Sequence, residues 1–354
     1  MKRLQFQFFS MLFLIVSFLH LSHAQDWMPQ QSNTNQQLKG IFMVSETEGW
    51  VCGDAGVLLH TVDGGANWNQ GNLTTGADLH AVVFRDTQTG IVVGDDGDIF
   101  RTTDAGASWG AVNSATTSQL RGAAWGSANV VWAAGRDGAV VNSTDAGATW
   151  MALNSGVVER FRGIEAVGSD SAWAVGDNAT LRHTSDGGSN WISQNAGVND
   201  DIQDVQFFNP SEGYIANSGT NTVNYTDDGG QTWTPRASGI NEGLNGIYFL
   251  DLNNGWAVSE LSNIYKTTNA GQNWTLDFNA NIQGELNEVF FASSQKGWAV
   301  GDNGTILHYD ISTGIGDESG RQLTNTFRLE QNYPNPFNPS TTIGFQLGSA
   351  QFVE

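Results

Sequence analysis

The octapeptide Thr61-Val62-Asp63-Gly64-Gly65-Ala66-Asn67-Trp68 recurs at 102–109, 143–150, 184–191, 226–233 and 267–274. The shared pattern is Ser/Thr-x-Asp-x-Gly-x-x-Trp, with Asp63, Asp104, Asp145, Asp186 and Asp228 at the third place and Asn269 in the last copy. Its tryptophans, Trp68, Trp109, Trp150, Trp191, Trp233 and Trp274, stand 41, 41, 41, 42 and 41 residues apart. A period held that tightly marks a repeat architecture and overrides local secondary-structure patterns.

Three further segments recur upstream of each octapeptide. Leu38-Lys39-Gly40-Ile41-Phe42 has equivalents beginning at Leu79, Leu120, Phe161, Ile202, Leu244 and Leu286. Gly49-Trp50-Val51-Cys52-Gly53 has equivalents with Ile91, Trp132, Trp173, Tyr214, Trp256 and Trp298 in the aromatic place. Val57-Leu58-Leu59-His60 is matched by Asp98-Ile99-Phe100-Arg101 and finally by Thr305-Ile306-Leu307-His308. All are short, rich in β-branched and aromatic residues, and bounded by Gly, Asp or Asn turns. Four such strands per repeat describe a propeller blade. The first three strands occur seven times but the octapeptide only six, and Trp27 lies 41 residues before Trp68. The spacing therefore predicts an all-β, seven-bladed β-propeller over 25–310. Its ring is closed by the N-terminal segment around 26–30, placed as the outer strand of the last blade, which leaves no open sheet edge at the seam.

Of the 13 tryptophans, seven stand at the fourth-strand place, five in second strands, and Trp125 ends a first strand. Burying one such ring is worth roughly 4–6 kcal/mol as an upper bound, so these rings are expected to form the core between blades. The octapeptide resembles the Asp-box, or BNR repeat, of sialidases and sortilin-type receptors. That resemblance implies a turn between third and fourth strands. Its acid and hydroxyl bond the turn's own backbone, a glycine such as Gly65 or Gly106 supplies positive φ, and the tryptophan packs beneath. On this reading the box aspartates are structural and lie one per blade, far from one another. The Gly-Trp-Ala-Val-Gly-Asp-x-Gly body, as at 297–304, resembles the repeat of the photosystem II stability and assembly factor family. The resemblance implies a non-enzymatic propeller that binds and assembles a protein.

One face collects the starts of the first strands and the loops between second and third strands; the Asp-boxes lie opposite. The second place of the seven first strands holds Lys39, His80, Arg121, Arg162, Gln203, Asn245 and Asn287. The facing loops supply Asp54, Asp95, Arg136, Asp177, Ser218, Glu260 and Asp302. Two readings stay open: these residues pair with one another around a wet channel, or Lys39, His80, Arg121, Arg162 and Arg136 form a basic arc that docks a carboxylate or an acidic peptide. A sialidase-like hydrolase would use three arginines on a substrate carboxylate, with a tyrosine nucleophile, a glutamate and an acid/base aspartate. The propeller tyrosines Tyr214, Tyr225, Tyr248, Tyr265 and Tyr309 all fall in repeat strands, and no inserted loop breaks the period to build such a site. The expectation is no enzyme, no catalytic residue, no metal and no cofactor. A secreted carbohydrate-active propeller, hydrolase or glycan-binding module, is the alternative. His60, His183 and His308 share a strand place on separate blades, too far apart for one metal.

Over its 354 residues the chain carries 15 Lys+Arg against 36 Asp+Glu, a net charge of −21. Such a balance excludes nucleic acid and anionic membrane as general partners. The single cysteine, Cys52, excludes a disulfide scaffold and Cys-cluster metal sites. Lys2 and Arg3, an apolar run from Phe8 to Leu21 and Ser22-His23-Ala24 read as a signal peptide over 1–24. The mature chain would then have no transmembrane segment and a charge of 13 − 36 = −23. A polar linker is expected over 311–326. The segment 327–354, with Tyr333-Pro334-Asn335-Pro336-Phe337-Asn338-Pro339, resembles the truncated start of a type IX secretion sorting domain. That resemblance implies export through the periplasm to the outer cell surface or medium and recognition by the type IX machinery. The expected role is an exported scaffold for a protein partner.

Overall fold

The computed structural model describes residues 26–219, 222–236 and 239–311, together with two short strands farther on. Seven four-stranded antiparallel sheets follow one another around a ring. Blade 1 is built from Leu38–Met43, Gly49–Gly53, Leu58–Thr61 and Asn69–Gln70, paired in chain order. Blades 2 to 6 repeat it. Blade 7 comprises Leu286–Phe291, Lys296–Gly301 and Ile306–Asp310, and its outer strand is Trp27–Gln30 from the other end of the chain. Trp27 pairs with Tyr309 and Gln30 with Ile306, so the ring closes as the spacing predicts.

The core lies between blades. Trp50, Cys52 and Leu58 of blade 1 pack with Leu79, Phe84 and Val92 of blade 2, and the pattern recurs around the ring. Trp298, Val300 and Ile306 of blade 7 pack on Leu38, Val51 and Trp68 of blade 1, sealing the seam hydrophobically. Nine tryptophans are buried, whereas Trp109, Trp125, Trp191 and Trp233 are half-buried. His60, His183 and His308 each stack on a second-strand tryptophan, at 3.9, 4.5 and 4.8 Å from Trp50, Trp173 and Trp298 respectively. The burial of Cys52 is complete and pushes its thiol up to about 12.

The octapeptide forms the turn between third and fourth strands. In the first copy Thr61 donates to Asp63 Oδ1 at 2.9 Å and accepts the Gly65 N–H at 2.8 Å. Asp63 also accepts the Asn67 backbone at 2.9 Å and its side-chain amide at 2.8 Å. Gly106 shows why the fifth place is glycine. Its φ is +76°, and a Cβ there would strike the Trp50 ring of the preceding blade. Gly147 and Gly188 likewise abut Ile91 and Trp132 of the preceding blades, so these turns take part in the inter-blade joint.

A second unit, 312–354, contributes one described pairing, Arg328–Leu329 against Phe345–Gln346. The expected signal peptide and the remainder of the expected sorting segment lie outside the described residues. Among the described residues no helix is long and apolar enough to cross a membrane.

Candidate functional site: the channel mouth

The first strands line the axial channel, and each carries an irregularity at the same place. Register shifts between Leu38 and Gly40, Leu79 and Ala81, Leu120 and Gly122, and at the four equivalent sites of the other blades. Each skipped residue is the second of its strand. A bulge of this kind leaves one residue unpaired and re-aims its side chain; here it turns Lys39, His80, Arg121, Arg162, Gln203, Asn245 and Asn287 into a ring at the channel mouth. These bulges are not visible in sequence, although the polar residue just after a leucine, isoleucine or phenylalanine was their trace.

Blades 1 and 4 treat their cation alike. The Lys39 ammonium pairs with Asp54 in its own loop and with Asp78 of the next blade. Arg162 donates to Asp177 of its own loop and to Asp201 of the next blade, both at 2.6 Å. In each case the distal acid is oriented by a loop N–H, from Ala55 at 2.9 Å or Asn178 at 3.0 Å. Burial would raise Asp177, but bonds from Arg160 and Arg162 outweigh it and hold its carboxyl below the usual range. His80 bonds Asp95 at 2.8 Å and is 7% exposed. Burial lowers its pKa to about 4, with Lys39 and Arg121 pushing the same way, so at neutral pH it adds no positive charge.

Blade 3 departs from this plan. Arg121 occupies the cation place, but the own-loop position is Arg136 and the next-blade position is Arg160. Both acids that would bracket the cation are replaced by arginines. Arg121 donates instead to the neutral side chain of Gln119 at 3.1 Å, and among the described ion pairs none involves Arg121 or Arg136. Burial first, then repulsion from Arg160, Arg162 and Arg136, lowers the Arg121 pKa to about 10. Arg160 was not singled out from sequence; it precedes Phe161 outside the compared place, and bonds Asp177 at 3.0 Å.

The mouth ring opens into a cavity of about 580 Å³ that it lines together with Glu165, Asp204, Glu288, Phe42, Trp125 and Tyr248 among others. Asp204 accepts the Val205 N–H at 2.8 Å and, across the blade junction, the Ile247 N–H at 3.0 Å. Gln206 makes two bonds to the Phe249 backbone, at 2.9 and 2.7 Å. These side chains stitch the edge of blade 6 to blade 5. The channel admits some water to the carboxyls, yet protein encloses them. Burial accordingly raises Glu165 to about 8, and raises Glu288 well above the ordinary range with help from Asp204. Trp125, half-buried, is among the aromatic residues of this wall, with the Arg85 guanidinium 5.6 Å from its ring centroid. Among the described residues no group of three His, Cys, Asp or Glu is placed to hold a metal.

The box residues Asp63, Asp104, Asp145, Asp186, Asp228 and Asn269 sit at the ends of the third strands, on the face away from this mouth. Their hydroxyl partners are internal to each turn, at 2.7–3.0 Å.

Residues 191–276 and 241–310 match the family model of the photosynthesis system II assembly factor YCF48. The match spans the last three blades. A solved structure of YCF48 bound to D1 peptide superposes with a TM-score of 0.68 at 19% identity, covering 81% of this chain and 98% of that one. YCF48 from Cyanidioschyzon merolae gives 0.64 at 17% identity, covering 80% and 98%. The GH74 enzyme of Niastella koreensis gives 0.67 at 14% identity, covering 82% of this chain and 55% of the enzyme. At these identities the superpositions speak for the propeller fold. No curated protein matches the chain in sequence.

Proposed function

We propose that the protein is an exported, non-enzymatic scaffold that docks a protein partner by a carboxylate-bearing or acidic segment over Arg121 and Arg136. One observation carries this reading: in blade 3 both acid positions around the mouth cation are arginines, whereas blades 1 and 4 neutralise theirs. Clustering like charges is costly, and a guanidinium left without a carboxylate is suited to taking one from a ligand in bidentate fashion. Lys39, Arg162 and His80 serve as the rim that holds this centre in place. The YCF48 structure bound to D1 peptide supports a propeller of this repeat type receiving a peptide.

The carbohydrate-active reading has one observation behind it, the raised carboxyls Glu165 and Glu288 in the cavity that Trp125 also lines. Each nevertheless accepts a backbone N–H, from Ala166 at 2.8 Å or Val289 at 3.0 Å, and Asp204 has both oxygens engaged. Those bonds suit carboxyls that belong to the wall.

The test is a paired capture from surface and secreted extracts of the source organism, using the full chain and its Arg121→Ala/Arg136→Ala variant. A protein retained by the first and lost by the second is expected. Equal retention by both baits, or hydrolysis of a glycan substrate, would overturn the proposal.

A further inference from the structure

Blade 6 reverses the pattern of blade 3. Blade 6 has Glu260 at the own-loop position and Glu285 at the next-blade position. These are the two places at which Asp54 and Asp78 grip Lys39, and Asp177 and Asp201 grip Arg162. Between the glutamates stands Asn245, which donates to Glu285 at 3.0 Å. The acids have been kept and the cation has been lost. The tie on the distal acid has gone as well: the Leu261 N–H, equivalent to that of Ala55, donates to Ser259 at 3.3 Å.

A third carboxylate joins them. Glu242 accepts bonds through Oε1 from Asn263 at 2.6 Å and from the Tyr265 hydroxyl, while its Oε2 is buried with no hydrogen-bond partner. Burial, followed by repulsion from Glu285 and Glu242, raises the Glu260 carboxyl; the Arg162 guanidinium, already paired with Asp177 and Asp201, offsets this only in part. Among the described ion pairs none involves any of the three.

We infer that Glu260 and Glu285, backed by Glu242, receive a lysine or arginine side chain of the docking partner. The partner's cation would take the place that Lys39 and Arg162 fill in their own blades. The inference rests on the docking reading above and adds to it a second charge. Arg121 and Arg136 of blade 3 stand three blades round the ring from Glu260 of blade 6, with the compensated Arg162 of blade 4 between them. A partner segment that satisfies both is bipolar, anionic at one end and cationic at the other, and the two loci fix its direction across the disc. Paired patches of opposite sign act in this way on register and selectivity.

A display library of random short peptides, selected on the immobilised full chain, tests this. Selections on Glu260→Gln/Glu285→Gln and on Arg121→Ala/Arg136→Ala run beside it, with thermal unfolding as a check. The glutamine variant is expected to unfold no earlier than the parent, since it removes repulsion; if it does, exposed Glu285→Gln alone takes its place. The parent is expected to enrich peptides carrying both an acidic group and a basic residue. On the glutamine variant, basic residues should fall roughly fivefold or more while acidic enrichment persists. Acidic enrichment on the parent without basic enrichment, or basic enrichment indifferent to the glutamines, would overturn the inference and leave the docking reading standing. No acidic enrichment on the parent would overturn both.

Discussion

Arg121 donates to the side-chain oxygen of Gln119 at 3.1 Å, while Arg162, its counterpart one blade on, meets carboxylates on two sides. Gln119 in turn donates its amide to Asp95, so the nearest acid of blade 2 is occupied by His80 and Gln119. The repeat thus supplies its own control: the same backbone, with the same bulge, holds a compensated cation in blades 1 and 4 and an uncompensated one in blade 3. A fold built from copies makes such departures readable as chemistry.

Restoring the acid should stabilise this site. Arg136→Asp recreates the loop position of blades 1 and 4, giving Arg121 the partner that Asp54 gives Lys39. Thermal unfolding is expected to rise slightly, by at most about 1 kcal/mol since residue 136 is exposed, while capture of the partner is lost. Unchanged capture would remove Arg136 and Arg121 from the docking role.

Ring closure places its own demand on the N-terminal strand. Trp27 is 1% exposed, and its indole donates to Asp277 of blade 6 at 2.8 Å. Trp27→Ala is expected to cost ~3–5 kcal/mol, measured by denaturant unfolding, with hydrogen exchange accelerating first in blade 7. Uniform exchange across all blades would contradict a locally sealed seam.

Trp173 tests the inter-blade core. It is fully buried, stacks on Phe207 at 3.7 Å and donates to Gly229 at 3.1 Å. Trp173→Ala should likewise cost ~3–5 kcal/mol; a loss below ~1 kcal/mol would mean the joint is held by something else.

The channel carboxyl Glu165 sets a pH dependence. Its native pKa is about 8, above its unfolded value, because burial disfavours the charge. The native state therefore holds a proton that the unfolded chain releases, and stability falls as pH rises from the ordinary carboxyl range to about 8. Glu165→Gln is expected to remove that part of the decline, raising stability at pH 8 by on the order of a few kcal/mol and leaving pH 4 almost unchanged. The Asp-boxes act oppositely. Asp104 is lowered to about 2, chiefly by the side chain and backbone of Ser108. Its contribution is present above the unfolded pKa and is lost as pH falls through about 2. A parent and Asp104→Asn variant with identical acid unfolding profiles would contradict this role.

The fold was legible because the repeat is written in large, invariant side chains. Trp68, Trp109 and their equivalents fix the period, and Trp27 in the same register places the closing strand. The residues of the mouth were legible as positions but not as charges. Lys39 and Arg162 look as cationic as Arg121 in sequence, and only the geometry of Asp78 and Asp201, which belong to the next blade, shows them compensated. His80 reads as basic until its burial is known. Glu165, Asp204 and Glu288 are not legible in the sequence, because no pattern separates a channel-facing third or fifth strand place from a solvated one. Trp125 shows the same limit: its place at the end of a first strand does not reveal that it lines the cavity.

The most direct measurement is calorimetric titration of the full chain with one acidic peptide in two forms, free C-terminal carboxylate and amide, repeated on Arg121→Ala. The carboxylate form is expected to bind the parent about tenfold more tightly than the amide, and the difference is expected to vanish in the variant. Equal affinity of the two forms for the parent, absence of binding, or a preference that survives Arg121→Ala would contradict the assignment of the mouth as a carboxylate-docking site.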